Sequence, residues 1–205
     1  MPDMLAFGTT PRPTTNLCRR LPKLCSKAKR DVTLTHTAQG WQSVQSLHER
    51  DDFRDLVSCV HRVVPGILQF LRIGYDAYEI TACWATVLAR GAAHKMHQHP
   101  NNFLSGVYYV AVPSVGSQID FQDPRAQASM IMPKPRQYSK LTVNGAYAQS
   151  KEGRLLIFPA WLKHTVPTNE GQSERISISF NLMFKNFSET MAAPLWDATP
   201  GLNQS

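Results

Sequence analysis

The sequence predicts a mainly β domain of the α+β class, and three features predict it. Helical spacing of apolar residues is confined to the stretch before Gly74, short β-type runs follow it, and Pro, Gly, Asn and Asp clusters separate those runs. Helices at one end and successive strands at the other suit a sandwich or barrel buttressed by N-terminal helices. No internal repeat recurs at a fixed period.

Residues 1–38 mix Pro11 and Pro13 with Thr, Lys and Arg and hold few periodic apolar positions, the composition of a basic, loosely ordered extension. Residues 39–205 make up the domain. From Trp41 the apolar positions Trp41, Val44, Leu47, Phe53, Leu56, Val57, Val60 and Val64 recur at helical spacing, with Asp51, Asp52 and Arg54 on other faces. That spacing predicts a helix with one buried stripe running to about Pro65. A second short helix is expected through Ile67, Leu68 and Leu71, stopped by Gly74. Strands are expected at 78–90, 104–112, 117–121, 141–143, 154–158 and 175–184.

With 205 residues, 42% of them hydrophobic, the chain suffices for one domain with a sizeable core, or one domain and a tail. No apolar run is long enough to cross a bilayer and no compact apolar segment opens the chain, so a soluble, cytoplasmic protein is expected. Much of the net charge of +7 sits between Arg12 and Arg30, where Arg19, Arg20, Lys23, Lys27, Lys29 and Arg30 meet no acidic residue. A basic arm accounts for that excess as well as a nucleic-acid face does. The arm lacks the interleaved aromatics of a single-strand binder and any groove-reading motif, so nucleic acid is not the expected partner. Its weak amphipathic pattern suits an irregular arm better than a transit peptide. Cys18, Cys25, Cys59 and Cys83 are scattered, without a C-x-x-C pair, and read as reduced thiols.

Chemistry first appears in Gly91-Ala-Ala-His-Lys-Met-His-Gln-His99. Residues two apart on an extended strand point to one side, with Cα atoms roughly 6.5 Å apart, so His97 and His99 can converge on one ion. His94, three residues before His97, falls on the opposite face by the same rule and reads as a surface histidine or one behind the ligands. A third ligand must come from elsewhere, and His164 is the candidate. It follows a buried apolar strand and a Pro-bounded turn, Gly153-Arg-Leu-Leu-Ile-Phe158-Pro159-Ala-Trp161-Leu-Lys-His164, and begins the next strand.

At these segments the chain resembles the prolyl-hydroxylase-like branch of the iron(II)/2-oxoglutarate oxygenases, in particular a small bacterial and phage group. The likeness spans about Trp84 to Asn181. It runs through Gly91 and His97-x-His99, Leu104-Ser-Gly-Val-Tyr-Tyr-Val110, Asp123-Pro-Arg125, Gly153 to His164, and Arg175-Ile-Ser-Ile-Ser-Phe-Asn181. The resemblance implies a double-stranded β-helix, the jelly roll shared with cupins. It also implies iron(II) as metal, with 2-oxoglutarate and dioxygen as cosubstrates. His97, His99 and His164 would be the metal ligands, and Arg175 would pair with the far carboxylate of 2-oxoglutarate. A permanently charged, planar guanidinium suits that task, and Ser177 offers a hydroxyl from the same face of the strand. Tyr108 and Tyr109 point to opposite faces, so at most one enters the barrel to help hold the cosubstrate. Asn181 can hydrogen-bond in the same pocket, and Asn101 or Asn102 can sit at its rim. Phe158, Trp161 and Val166 are expected to pack around the ligands.

The implied activity is hydroxylation of a small-molecule or peptide substrate, with release of succinate and CO2, and a homodimer is compatible with it. Two departures stand beside it. Most of the superfamily has Asp or Glu where His99 stands, which leaves this site one unit more positive. Asp120 or Asp123 is the alternative carboxylate, although Asp123-Pro-Arg125 has the look of a turn. Three histidines also fit a cupin-type dioxygenase or isomerase that does not use 2-oxoglutarate; such a protein needs no Arg175-x-Ser177 pair. A non-catalytic binding barrel is a further alternative.

Overall fold

The computed structural model describes residues 40–74, 77–115, 117–125, 130–131, 133–137 and 145–187. The basic extension and the strand expected at 141–143 lie outside the described residues. One long helix and nine strands follow one another: β1 (Gly40–Gln42), α1 (Arg54–Phe70), β2 (Tyr78–Leu88), β3 (His94–His97), β4 (Leu104–Ala111), β5 (Gln118–Gln122), β6 (Gly145–Gln149), β7 (Leu155–Pro159), β8 (His164–Val166) and β9 (Arg175–Phe184). They form two antiparallel sheets, one in the order β1-β2-β9-β4-β7 and the other β3-β8-β5-β6. The mainly β expectation holds.

The larger sheet is covered on both faces, for different reasons. Alternate residues of β9, namely Ile176, Ile178, Phe180 and Leu182, pack outward with Tyr108, Leu155 and Ile157 against Leu56, Cys59, Val60, Val64, Ile67 and Leu68 of α1. The spacing of those six helix residues is that of a single stripe. The opposite face of the sheet meets the smaller sheet through Val107, Tyr109, Leu156 and Phe158, which pack on Ile119, Phe121 and Leu162. Period-two alternation therefore divides each central strand between a helix-side core and a barrel interior.

Two helix expectations are corrected. Trp41 belongs to β1, where it pairs with Val87, and α1 begins only at Arg54. Helical spacing misled here because Trp41 and Leu47 are buried while Val44, between them, is 38% exposed. The backbone of this stretch bonds instead to the edge of β2: Ser43 N–H donates to the Ala85 carbonyl, and the Ala85 N–H donates to the Ser43 hydroxyl, each at 2.9 Å. Side-chain oxygens that serve backbone groups compete with helix formation. The second correction is at Pro65, which lies inside a continuous α1. Its missing N–H frees the His61 carbonyl, and the Tyr78 hydroxyl approaches that carbonyl at 3.5 Å.

Nor does Gly74 stop the helix. Arg72 does, in the left-handed region at φ 54°, with Arg72 N–H donating to the Gln69 carbonyl and Ile73 N–H to the Leu68 carbonyl. This is the Schellman arrangement, whose left-handed position usually holds glycine. Arg72→Gly is therefore expected to raise unfolding stability by roughly 0.5–1 kcal/mol, the relief of left-handed strain less the entropy cost of glycine. Chemical denaturation measures it, and a loss of stability would contradict the argument.

Candidate metal centre and anion pocket

Pairing of β3 with β8 brings the first and last histidines together, since His97 is the register partner of His164. His99 follows just past β3, held by its N–H on the Ala160 carbonyl at 2.9 Å. Ligand atoms of His97, His99 and His164 all lie within 4.8 Å of one another. The rings of His97 and His164 are 4.3 Å apart at their centroids, and His99 is 5.2 Å from each.

Hydrogen bonding sets which nitrogen faces the shared point. His97 Nδ1 lies 2.8 Å from the Lys95 carbonyl, and His164 Nδ1 lies 2.8 Å from the Leu162 carbonyl. A carbonyl only accepts, so each Nδ1 carries the proton and donates, leaving the Nε2 lone pair for a cation. Burial lowers the pKa of His99 and of His164 to about 4, and neighbouring histidine charges add to the effect; at His164 the bond to Leu162 acts in the other direction. His99 and His164 thus rest as neutral imidazoles, the ligating form. Phe158 stands 4.8 Å and Phe121 6.1 Å from the His164 ring, and Trp84 stands 5.8 Å from that of His99. Val166 is buried, but Trp161 is 52% exposed, which corrects its expected place in the packing around the ligands.

No carboxylate joins this cluster among the described residues. Asp120 accepts from the Gln118 amide, and Asp123 is bonded by Arg125, whose hydrogen bonds hold its pKa down to about 2.

Arg175 opens β9 on the barrel side and is 4% exposed. Its guanidinium lies 5.3 Å above the Tyr109 ring and reaches the Ser150 hydroxyl at a long 3.4 Å. Its Nε has no hydrogen-bond partner, and burial lowers its pKa. No carboxylate pairs with it among the described residues. Ser177 is buried beside it, and its register partners are Thr86 on β2 and Tyr109 on β4. The Thr86 hydroxyl is likewise buried without a hydrogen-bond partner, whereas the Tyr109 hydroxyl interacts with Ser150 and with Arg175 itself. Directly paired residues share a face, so Thr86, Ser177 and Tyr109 form one polar row across the interior. Tyr108 is directed the other way, into the core beneath α1. Asn181 is buried and accepts from the Ser105 hydroxyl at 2.8 Å. Asn102 bonds Thr81 and the Pro100 carbonyl at the surface and joins neither group.

Thr86, Ser150 and Asn169 carried no site signal in the sequence, and the spacing of His94 places it on the opposite face of its strand. Asn169 clamps the loop before Arg175: its amide donates to the Leu88 and Ser173 carbonyls, and its backbone bonds Gly91 and Ala92 at the entry to β3. Asn169-Glu-Gly171 is a turn signal and nothing more at the sequence level. His94 turns toward the site because β3 is bulged between His94 and His97. Its pKa is lowered to about 4 by burial, then by the charges of His97 and Arg175.

The stretch from residue 82 to 181 matches the family described as "Putative 2OG-Fe(II) oxygenase". The matched family is the 2OG-Fe(II) oxygenases. Its stretch contains His97, His99, His164, Arg175, Ser177 and Asn181, the residues on which the resemblance rested. Among solved structures the chain is similar to a prolyl-4-hydroxylase from Pseudomonas putida, at 14% identity and TM-score 0.62 over 89% of this chain and 95% of that one. It is similar to the non-heme alpha ketoglutarate dependent epimerase SnoN from nogalamycin biosynthesis, at 11% identity and TM-score 0.65 over 89% and 77%. It is also similar to HygX from Streptomyces hygroscopicus, solved with nickel, 2-oxoglutarate and hygromycin B bound, at 10% identity and TM-score 0.63 over 90% and 85%. At such identities these structures establish the fold, a double-stranded β-helix. No curated protein matches the chain in sequence. Among the described residues no helix is long and apolar enough to cross a membrane.

The lowered histidine pKa values carry a sign. Unfolded histidines take up protons near pH 6.5 and the folded ones only near 4, so stability of the metal-free protein is lost as pH falls from about 6.5 to about 4 and levels off below. Urea midpoints measured across that window test it, and His164→Leu is expected to flatten the decline. A decline of equal steepness in the variant would remove the histidines as its cause.

Proposed function

We propose that the protein is an iron(II)- and 2-oxoglutarate-dependent oxygenase that hydroxylates a small-molecule or peptide substrate, releasing succinate and CO2. The observation that carries this reading is Arg175, a buried guanidinium with an unpartnered Nε, set on the same interior face as Tyr109 and an unpartnered Thr86 hydroxyl. A buried cation without an acid is costly unless an anion completes it. These donors fit the far carboxylate of a dicarboxylate, and the three converging imidazoles fit a divalent transition metal.

His97, His99 and His164 would hold the iron through Nε2, and Arg175, Tyr109 and Ser177 would hold the cosubstrate. When bound, iron with 2-oxoglutarate and dioxygen supplies the oxidising power: the oxo acid loses CO2 to give succinate, and one oxygen atom enters a substrate C–H bond. The chain's own residues orient and insulate. Carbonyls of Lys95 and Leu162 keep two of the imidazoles in the metal-facing tautomer. Phe121, Phe158 and Leu156 keep water from the interior side of the histidines. The Ser105 hydroxyl fixes the Asn181 amide by donating to its oxygen. A protein of this kind needs no membrane, and a cytoplasmic location suits its reduced thiols.

The all-histidine donor set favours one other reading, a cupin-type metalloenzyme that does not take 2-oxoglutarate. Anaerobic iron(II) reconstitution separates the two. Titration with 2-oxoglutarate is expected to raise a metal-to-ligand charge-transfer band, and admission of air to yield succinate. Arg175→Ala is expected to weaken 2-oxoglutarate binding at least about tenfold, the loss of a charge-assisted hydrogen bond, while keeping its iron. His164→Ala is expected to lose the iron. Absence of both band and succinate in the wild type would reject the oxygenase and leave the cupin.

A further inference from the structure

His94 lies inside the barrel, although its spacing from His97 places it outside on a regular strand. On β8, His164 and Val166 are two residues apart and share a face. Their register partners on β3 are His97 and His94, three residues apart, with a bulge between them. Paired residues of an antiparallel ladder share a face, so the extra residue of the bulge turns both histidines inward. Val166 packs there against Leu88 and Ala92, and Leu88 is the register partner of Arg175. His94 therefore enters at the Arg175 end of the site.

The His94 ring stands edge-on to that of His97, with centroids 6.0 Å apart, and it is not one of the three histidines whose ligand atoms converge. The Thr165 hydroxyl donates to the His94 carbonyl and pins the backbone at the bulge. No hydrogen bond to a described residue engages the ring nitrogens. A neutral imidazole always keeps one N–H to donate. A donor held without an acceptor among the described residues, near a buried guanidinium also short of one there, faces the same kind of ligand that Arg175 does.

We propose that His94 is a ligand-contacting residue: one ring N–H donates to the carboxylate that Arg175 holds, so that a 2-oxo dicarboxylate is gripped from two sides. This inference rests on the 2-oxoglutarate reading above. It assigns the β3 bulge a task, which is to bring a donor from the small sheet to a pocket built mostly from the large one. It also predicts selectivity, because a 2-oxo acid lacking the far carboxylate cannot use His94.

The test is equilibrium binding of 2-oxoglutarate and of pyruvate to the iron(II)-loaded protein without oxygen, read from the charge-transfer band, with iron content measured in parallel. His94→Phe is expected to weaken 2-oxoglutarate binding about tenfold, to leave pyruvate binding unchanged and to retain iron. His94→Gln, which restores a donor, is expected to recover most of the loss. Equal 2-oxoglutarate affinity in wild type and His94→Phe overturns the proposal, and so does an equal loss for pyruvate or a loss of iron. A wild type that binds no 2-oxoglutarate rejects the oxygenase reading itself, whereas tight wild-type binding with an unaffected variant rejects His94 alone. Where the Phe ring does not fit, nitrogen-15 imidazole signals of the zinc-loaded wild type give the same answer: the His94 N–H signal is expected to shift and gain exchange protection on adding 2-oxoglutarate, and an unmoved signal overturns the proposal.

Discussion

The short antiparallel pairing of β3 with β8 is the contact on which the rest of the site depends. It sets His97 against His164, two residues 67 positions apart in the chain, and through the bulge it sets His94 against Val166. Three imidazoles within reach of one point would repel one another if protonated, and burial already disfavours the charged form. The pairing thus fixes the place of the rings, and the burial it brings favours the neutral form of His99 and His164, ready for a cation.

Around that contact the fold separates two kinds of interior. The face of the large sheet toward α1 is almost wholly apolar and carries Tyr108, Ile178 and Phe180 at 0–1% exposure. The other face admits Arg175, Ser177 and Asn181, all of them buried. An unpaired buried cation costs several kcal/mol, and the apolar contacts of the helix-side core are what offset it in a ligand-free chain. Position along β9 alternates between the two environments residue by residue, so a one-residue slip of β9 would exchange the whole polar row for the isoleucines. The Asn169 clamp guards against that slip by tying the loop before Arg175 to the end of β2.

Much of this was readable in the residues themselves. His97-x-His99 was legible because a period of two is the signature of an extended strand, and His164 because a run of buried apolar residues and a Pro-bounded turn precede it. Arg175 was legible through the family resemblance and Ser177 by the same period, as was the rule that only one of Tyr108 and Tyr109 enters. The bulge was not, because an extra residue in a strand leaves no trace in composition. Parity reasoning, sound on a regular ladder, therefore sent His94 to the wrong side. Thr86 escaped because a threonine in a strand is ordinary, and its meaning comes only from Ser177 and Tyr109 beside it. Trp41 and Pro65 misled for a common reason: long-range partners, the edge of β2 in one case and the Tyr78 hydroxyl in the other, met backbone groups that local rules assign to a helix or its end.

Charge balance joins the metal centre to the anion pocket. Where most of the superfamily sets a carboxylate among its ligands, this cluster offers three neutral donors, so a divalent cation would keep its full charge there. Arg175 adds another positive charge in the same interior, and no acid among the described residues offsets either. Low dielectric magnifies such an imbalance over the dimensions of a barrel. A neutral or cationic occupant would leave it standing, while a dianion reaching from the metal to Arg175 would cancel most of it. The missing carboxylate and the unpaired guanidinium are therefore better understood as one feature than as two. Each makes the interior more positive, and on the proposed reading they together favour a ligand with an anionic group at both ends.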